Sequence, residues 1–173
     1  MIPSRQILSN AAYSRNHVAE LLQAIFTAEF IRPSKTLWLV SPWLSDIQVM
    51  DNRHGGFSAL LADSGQTSVT LSNALVRLAS RGTEVTVVTR TGESEEFLSA
   101  VRSQVELASG FRPPHLKSRD DLHAKGLLGD DYSLLGSMNF TFGGLYKNNE
   151  LIIFAQDLEQ VADLRLTFEK EYG

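Results

Sequence analysis

The sequence predicts a layered α/β/α fold built on a mixed, largely parallel sheet. Three observations point there. Apolar residues at helical spacing alternate with short β-branched apolar runs through the first half of the chain, the pattern of crossover units on parallel strands. A tight turn at Gly129–Asp131, between two apolar runs, adds an antiparallel hairpin. The chain has 173 residues, 43% hydrophobic and 21% charged, which is enough to bury a sizeable core. One domain spanning residues 1–173 is expected.

The elements follow in order. Residues 16–31 place Val18, Leu21, Leu22, Ile25 and Phe26 at helical spacing, and Pro33 closes that helix. KTLWLVS at 35–41 reads as a buried strand ended by Pro42. Residues 42–67 carry Gly55, Gly56 and Gly65 and read as a long loop holding at most one helical turn. A second helix over 69–81 stops at Gly82. EVTVVT at 84–89 reads as a strand. The next helix runs from Ser94 to Leu107. Ser94 caps it, and Glu95 and Glu96 suit the positive end of its dipole. Pro113 and Pro114 break the chain. Strands are expected near 121–128, 132–136 and 149–155. The last helix opens at Asp157, which has capping-box spacing with Gln160. Leu158, Val161, Leu164 and Phe168 line one of its faces.

Composition narrows the function. The chain has no cysteine, so disulfides, zinc–thiolate sites and a cysteine nucleophile are excluded. The N-terminus lacks a basic stretch followed by an apolar run of about 7–15 residues, so no signal peptide is expected. No apolar run approaches the ~18 residues a membrane helix needs. These features suit a cytoplasmic protein with no membrane partner. The net charge is −4, from 16 basic and 20 acidic residues. That does not advertise a broad nucleic-acid-binding face, though local fields stay open. The basic residues are mostly Arg, 11 against 5 Lys, and arginine forks onto phosphate.

The most apolar region, 122–154, also holds the densest polar chemistry. On a strand, His123 and Lys125 would share one face. A buried strand rarely gives two such positions to an imidazole and an ammonium, so an anion is expected between them. Asp130 falls in the turn and is expected to be structural. Ser137 and Asn139 follow Gly136 in GSMN, and Glu150 begins the third strand. A nucleophile or base, a fixed cation, two neutral donors and a carboxylate suit the phosphoryl group of a phosphodiester. In a shuffled chain of this composition the spaced set arises on the order of 2 times in 100,000, so chance is set aside. His115 and Lys117 repeat the His-x-Lys pair, but Leu122 occupies the Asp position. They read as a surface coincidence. Phe140, Phe142 and Tyr146 are expected in core or loop packing rather than under bases. Trp38 and Trp43 are expected in the core and at a pocket rim.

HAKGLLGD followed by GSMN resembles the HxKxxxxD motif and trailing GSxN of the phospholipase D superfamily, in its nuclease-like branch. A weaker similarity covers LWLVSPWLSDI and SRGTEVTVVT. The resemblance implies the phospholipase D-like fold and a role for each residue. His123 would attack phosphorus and form a phosphohistidine. Lys125 and Asn139 would hold the non-bridging oxygens. Ser137 would orient the site, Glu150 would fix the tautomer of His123, and Asp130 would be structural. Sites of this family contain two such motifs, and one histidine attacks while the other protonates the leaving oxygen. This chain has one. The resemblance therefore implies a homodimer with two His123 residues, or else a heterodimer with another motif-bearing chain. No cofactor and no metal are implied.

The implied activity is phosphodiester cleavage, foremost by a nuclease acting on DNA, with RNA as the alternative substrate. Two other readings stand beside it. One is a lipid or small-molecule phosphodiesterase. The other is a nucleic-acid-binding or assembly subunit that needs a helicase or DNA-modification partner. The short chain also resembles the phospholipase D-like components of bacterial DNA-modification and phage-defence gene clusters.

Overall fold

The computed structural model describes residues 4–9, 12–61, 65–108 and 110–173. Residues 1–3 of the expected leaderless start, and 62–64 of the expected long loop, lie outside them. The elements are β1 (Arg5–Ser9), α1 (Ala12–Ile31), β2 (Thr36–Val40), β3 (Gln48–Asp51), β4 (Ser68–Thr70), α2 (Leu71–Ser80) and β5 (Glu84–Arg90). They continue with α3 (Glu95–Glu106), β6 (His115–Arg119), β7 (Gly126–Leu128), β8 (Ser133–Gly136), α4 (Phe142–Tyr146), β9 (Glu150–Ala155) and α5 (Leu158–Tyr172).

Seven strands form one mixed sheet in the order β1-β9-β8-β7-β2-β5-β6. β2, β5 and β6 are parallel neighbours, joined through α2 and α3. β7, β8, β9 and β1 extend the sheet from β2 by antiparallel pairings. Alternating direction returns β8 and β1 to the sense of β2, β5 and β6, so most strands run one way although most neighbours are antiparallel. The central strands are covered on both faces, which is why LWLV and VTVV read as unbroken apolar runs. Leu37 and Leu39 point into a core with Phe26 of α1, Leu75 of α2, Phe97 of α3 and Leu145 of α4. Trp38 and Val40 point the other way, to Val161 and Phe168 of α5. The rings of Trp38 and Phe168 meet edge to face, 6.3 Å between centroids. The layers are α/β/α, with a single helix on the second face.

Several local expectations change. β1 was not legible, because RQILS alternates exposure and buries only Ile7 and Ser9. The expected loop at 42–67 contains β3, which pairs with β4 as a separate two-stranded sheet. HLKSR, whose His-x-Lys pair reads as a surface coincidence, forms the partly exposed edge strand β6. Lys117 there donates to the Tyr172 carbonyl oxygen at 2.9 Å. Ser94 precedes α3 with φ 64°, yet its hydroxyl does not cap the helix. It accepts the Leu44 N–H at 2.8 Å and meets Thr89 Oγ1 at 2.9 Å, so it pins the chain that leaves β2. Asp157 does cap α5, accepting the Gln160 N–H at 3.1 Å.

Asp130 sits at the end of the sheet where β2 starts. Its carboxylate accepts the N–H groups of Lys35 at 2.8 Å and Thr36 at 3.3 Å, and lies 3.4 Å from the Arg165 guanidinium. It thus fixes the β7–β8 turn against the first residue of the central strand. Asp130→Ala is expected to cost about 2 kcal/mol, because it strands charged-group hydrogen bonds at a partly buried position. For a chain of this size the melting midpoint should fall by about 4–8 °C. A thermal melt with the midpoint unchanged would remove this role.

Candidate active site

The ends of β2, β5 and β8 and the starts of β7 and β9 meet at the opposite end of the sheet. Strand ends of this kind border the crevice in which open α/β sheets bind ligands. β2 stops at Val40, opposite Gly126, and Pro42 soon follows with no N–H to extend the ladder. Consequently β7 begins only at Gly126. The expected strand over 121–128 is shortened, and His123 and Lys125 lie in the irregular segment that enters it. His123 is exposed rather than buried, and Lys125 is half-buried. The Lys125 ammonium donates to the His123 carbonyl oxygen at 2.6 Å. Its stem lines a gap with Met138, Phe140 and Ile152, so apolar contact positions a charge that has no carboxylate partner among the described residues.

The second arm leaves β8. Gly136 has φ 154°, and a Cβ there would strike the Leu151 carbonyl oxygen of β9. Only glycine lets the two strands close at this point. Ser137 then locks to β9. Its N–H donates to the Leu151 carbonyl at 3.0 Å, and its hydroxyl accepts the Leu151 N–H at 3.1 Å. That hydroxyl donates to the Glu150 carboxylate. The other Glu150 oxygen accepts from Asn148 Nδ2 at 3.2 Å. Glu150 is therefore a buried, doubly satisfied acceptor, 6% exposed. Among the described residues no hydrogen bond or ion pair joins it to His123.

Asn139 is held by a residue the sequence reading did not assign. The buried Ser41 hydroxyl lies 2.9 Å from the Trp43 carbonyl oxygen and 3.3 Å from Asn139 Oδ1. It also accepts the Phe140 N–H at 3.4 Å. With Oδ1 turned to Ser41, the Asn139 amide nitrogen is left as a donor without a protein acceptor among the described residues. The available signal was LVSPW, where a hydroxyl ends an apolar strand just before proline. Gly144 completes this arm, because a Cβ there would collide with the Asn139 carbonyl oxygen. Phe140 is buried in the core as expected, whereas Phe142 is exposed.

The fold thus brings His123, Lys125, Ser137, Asn139 and Glu150 to one end of the sheet and sends Asp130 to the other. Ser137 and Glu150 touch directly, Lys125 meets the His123 backbone, and Asn139 connects through Ser41. Chemically the end offers an exposed imidazole, an ammonium and an amide donor. Among the described residues, no three His, Asp or Glu side chains gather as a metal site, and no helix is long and apolar enough to cross a membrane.

Solved structures share this architecture. NucT from Helicobacter pylori matches with a TM-score of 0.59 and 12% identity, over 98% of this chain and 95% of that one. Nuc from Salmonella typhimurium, described as a phospholipase D family member, matches with a TM-score of 0.61 and 14% identity, over 99% and 95%. TrmBL2, described as an archaeal chromatin protein with a novel mode of DNA binding, matches with a TM-score of 0.54 and 15% identity, over 98% of this chain and 51% of that one. At such identities the likeness speaks for the fold. No curated protein matches the sequence at a significant level. Residues 58–172 match the family described as "Cardiolipin synthase, PLD-like domain", which spans most of the chain and includes the whole HAKGLLGD–GSMN segment, and the protein belongs to this phospholipase D-like family.

Proposed function

We propose that the protein is a metal-independent phosphodiesterase, a nuclease cleaving DNA through a phosphohistidine at a site shared by two copies of the chain. The observation that carries this reading is the convergence of an exposed imidazole, an acid-free ammonium and an acceptor-free amide at one set of strand ends. Two donors aimed at a phosphoryl group stabilise the charge that builds on its oxygens in the transition state. His123 attacks phosphorus, and a nitrogen–phosphorus bond forms as the bond to the leaving oxygen breaks. The partner's His123 gives that oxygen a proton. Water then attacks phosphorus, its proton passes to the partner's His123, and the first imidazole is released. Ser137 and Glu150 hold the β8–β9 junction from which Asn139 projects.

The shared site is supported by number and by surface. Each chain contributes one motif histidine, and an isologous two-fold contact would bring two together. Leu8 and Leu151, paired across β1 and β9, are 57% and 46% exposed. Leu151 is hydrogen-bonded to Ser137 and Leu8 lies on the next strand outward, so uncovered apolar side chains adjoin the half-site. RNA is the alternative substrate.

A second reading draws on TrmBL2, which shares the fold and is described as binding DNA. In it the chain is a DNA-binding subunit whose helicase or DNA-modification partner supplies the biological setting, phage defence included. The exposed imidazole of His123 beside these donors favours chemistry over binding alone.

The test is incubation of purified protein with single- and double-stranded DNA in EDTA. Cleavage is expected. Turnover of a phosphatidyl substrate with DNA left intact would transfer the reading to lipids. Salt-dependent DNA binding without any turnover would select the subunit reading.

A further inference from the structure

Two large aromatic side chains stand exposed at the strand ends that carry the site. Trp43 is 38% exposed and Phe142 is 55% exposed. The chemistry described above uses neither. Leu44 bridges Phe140 in parallel, and the Ser45 N–H donates to the Phe140 carbonyl at 3.0 Å. Leu44 and Phe140 are both buried, so alternation turns their neighbours Trp43 and Asn139 outward. In this register Trp43 lies opposite Asn139, and Ser41 hydrogen-bonds to both. On the far side of Asn139, Thr141 caps α4 and sets Phe142 in its first turn. The Phe142 ring leans on Tyr146, 5.0 Å between centroids, and Lys147 Nζ sits 5.4 Å from its centre.

Acid-free cations lie at the same end. Arg32, Arg53, Arg102, Arg112, Arg119 and Arg165 each face a carboxylate, and Arg77, Arg81 and Lys117 are turned onto Gln66 and the carbonyls of Phe30 and Tyr172. Lys125, Lys147 and Arg90 have no carboxylate partner among the described residues, a state they share with Arg5, Lys35 and Lys170 elsewhere. Arg90 ends β5, and its N–H donates to the Pro42 carbonyl at 3.3 Å, next to Trp43. These backbone links and the Lys147–Phe142 contact connect the groups in the order Arg90, Trp43, Asn139, Phe142, Lys147: cation, ring, amide, ring, cation. That alternation matches phosphate, base, phosphate, base, phosphate. Every base has a π-face for a ring to stack on, and a duplex hides those faces inside its own stack. A lipid headgroup offers none.

We propose that Trp43 and Phe142 are base-stacking subsites on either side of the bound phosphodiester, with Arg90 and Lys147 taking the next phosphates outward, so that the ligand is an unpaired polynucleotide. The identity of the central phosphate rests on the phosphodiesterase reading, but the stacking is measurable without turnover.

The test measures fluorescence anisotropy in EDTA with His123→Ala protein as host. The two probes are an oligothymidylate and an abasic strand of equal length. The host should prefer the oligothymidylate. Trp43→Ala and Phe142→Ala should each weaken that binding about tenfold and leave the abasic strand unaffected. Trp43→Phe should keep most of the affinity, and thermal melts check that each variant is folded. In the otherwise wild-type protein, hydrolysis of bis(p-nitrophenyl) phosphate reports the phosphodiesterase chemistry separately from strand binding. Equal affinity of the host for the two strands, or equal loss of both in the variants, overturns the proposal. Base-selective binding by a protein that hydrolyses no small phosphodiester upholds the subsites and refutes the phosphodiesterase reading instead.

Discussion

His123→Ala should lower phosphodiesterase activity by about 10,000-fold or more while leaving the fold untouched. Loss of a nucleophile removes the covalent route altogether, and such losses are among the largest that single substitutions produce. The stability half of the expectation follows from position. The ring is exposed, and among the described residues it makes no hydrogen bond or ion pair. What the residue gives the structure is its backbone carbonyl, which accepts from Lys125 and survives the substitution. Surface truncations of this kind stay within about 0.5 kcal/mol. The check pairs a DNA-cleavage assay in EDTA with a thermal melt. An active variant removes His123 from the chemistry. An inactive variant that melts early would instead make the residue structural.

Gly136→Ala should damage both fold and activity. The new Cβ would meet backbone, the Leu151 carbonyl oxygen, and backbone cannot rotate away as a side chain can. The positive φ of 154° adds strain for any other residue. Relief requires β8 and β9 to part where Gly136 pairs Ile152 and Ser137 locks to Leu151. A loss of about 3 kcal/mol is expected, or about 6–12 °C in melting midpoint. Activity should fall further than the folded fraction does, because Ser137 and Asn139 hang from this junction. A variant that melts within 2 °C of the parent (about the shift 1 kcal/mol would give) and cuts at the parent rate would contradict the placement.

The sequence made the layered fold readable where burial was symmetric. LWLV and EVTVVT are apolar on both sides because helices cover both faces of β2 and β5. It failed at the edges. β1 and β6 each have one neighbour in the sheet and half-polar sequences, so alternation is diluted. The candidate residues were legible as a list, His123, Lys125, Ser137 and Asn139 by their spacing and Glu150 by the family resemblance. The wiring between them was not. Ser41 lies 98 residues from Asn139 in sequence, and no local pattern announces that contact. Ser94 shows the converse. Its local signal was a helix cap, and a long-range bond to Leu44 took the hydroxyl instead.

The central claim is a covalent intermediate on His123 at a site shared by two copies. The most direct measurement is the intact mass of the protein after an acid quench during DNA cleavage in EDTA, with peptide mapping of the adduct. The account predicts a nucleotidyl mass on His123 reaching at most half of the chains, because one histidine of each pair attacks while the other protonates. Active protein with no adduct on His123, or an adduct on every chain, would contradict it.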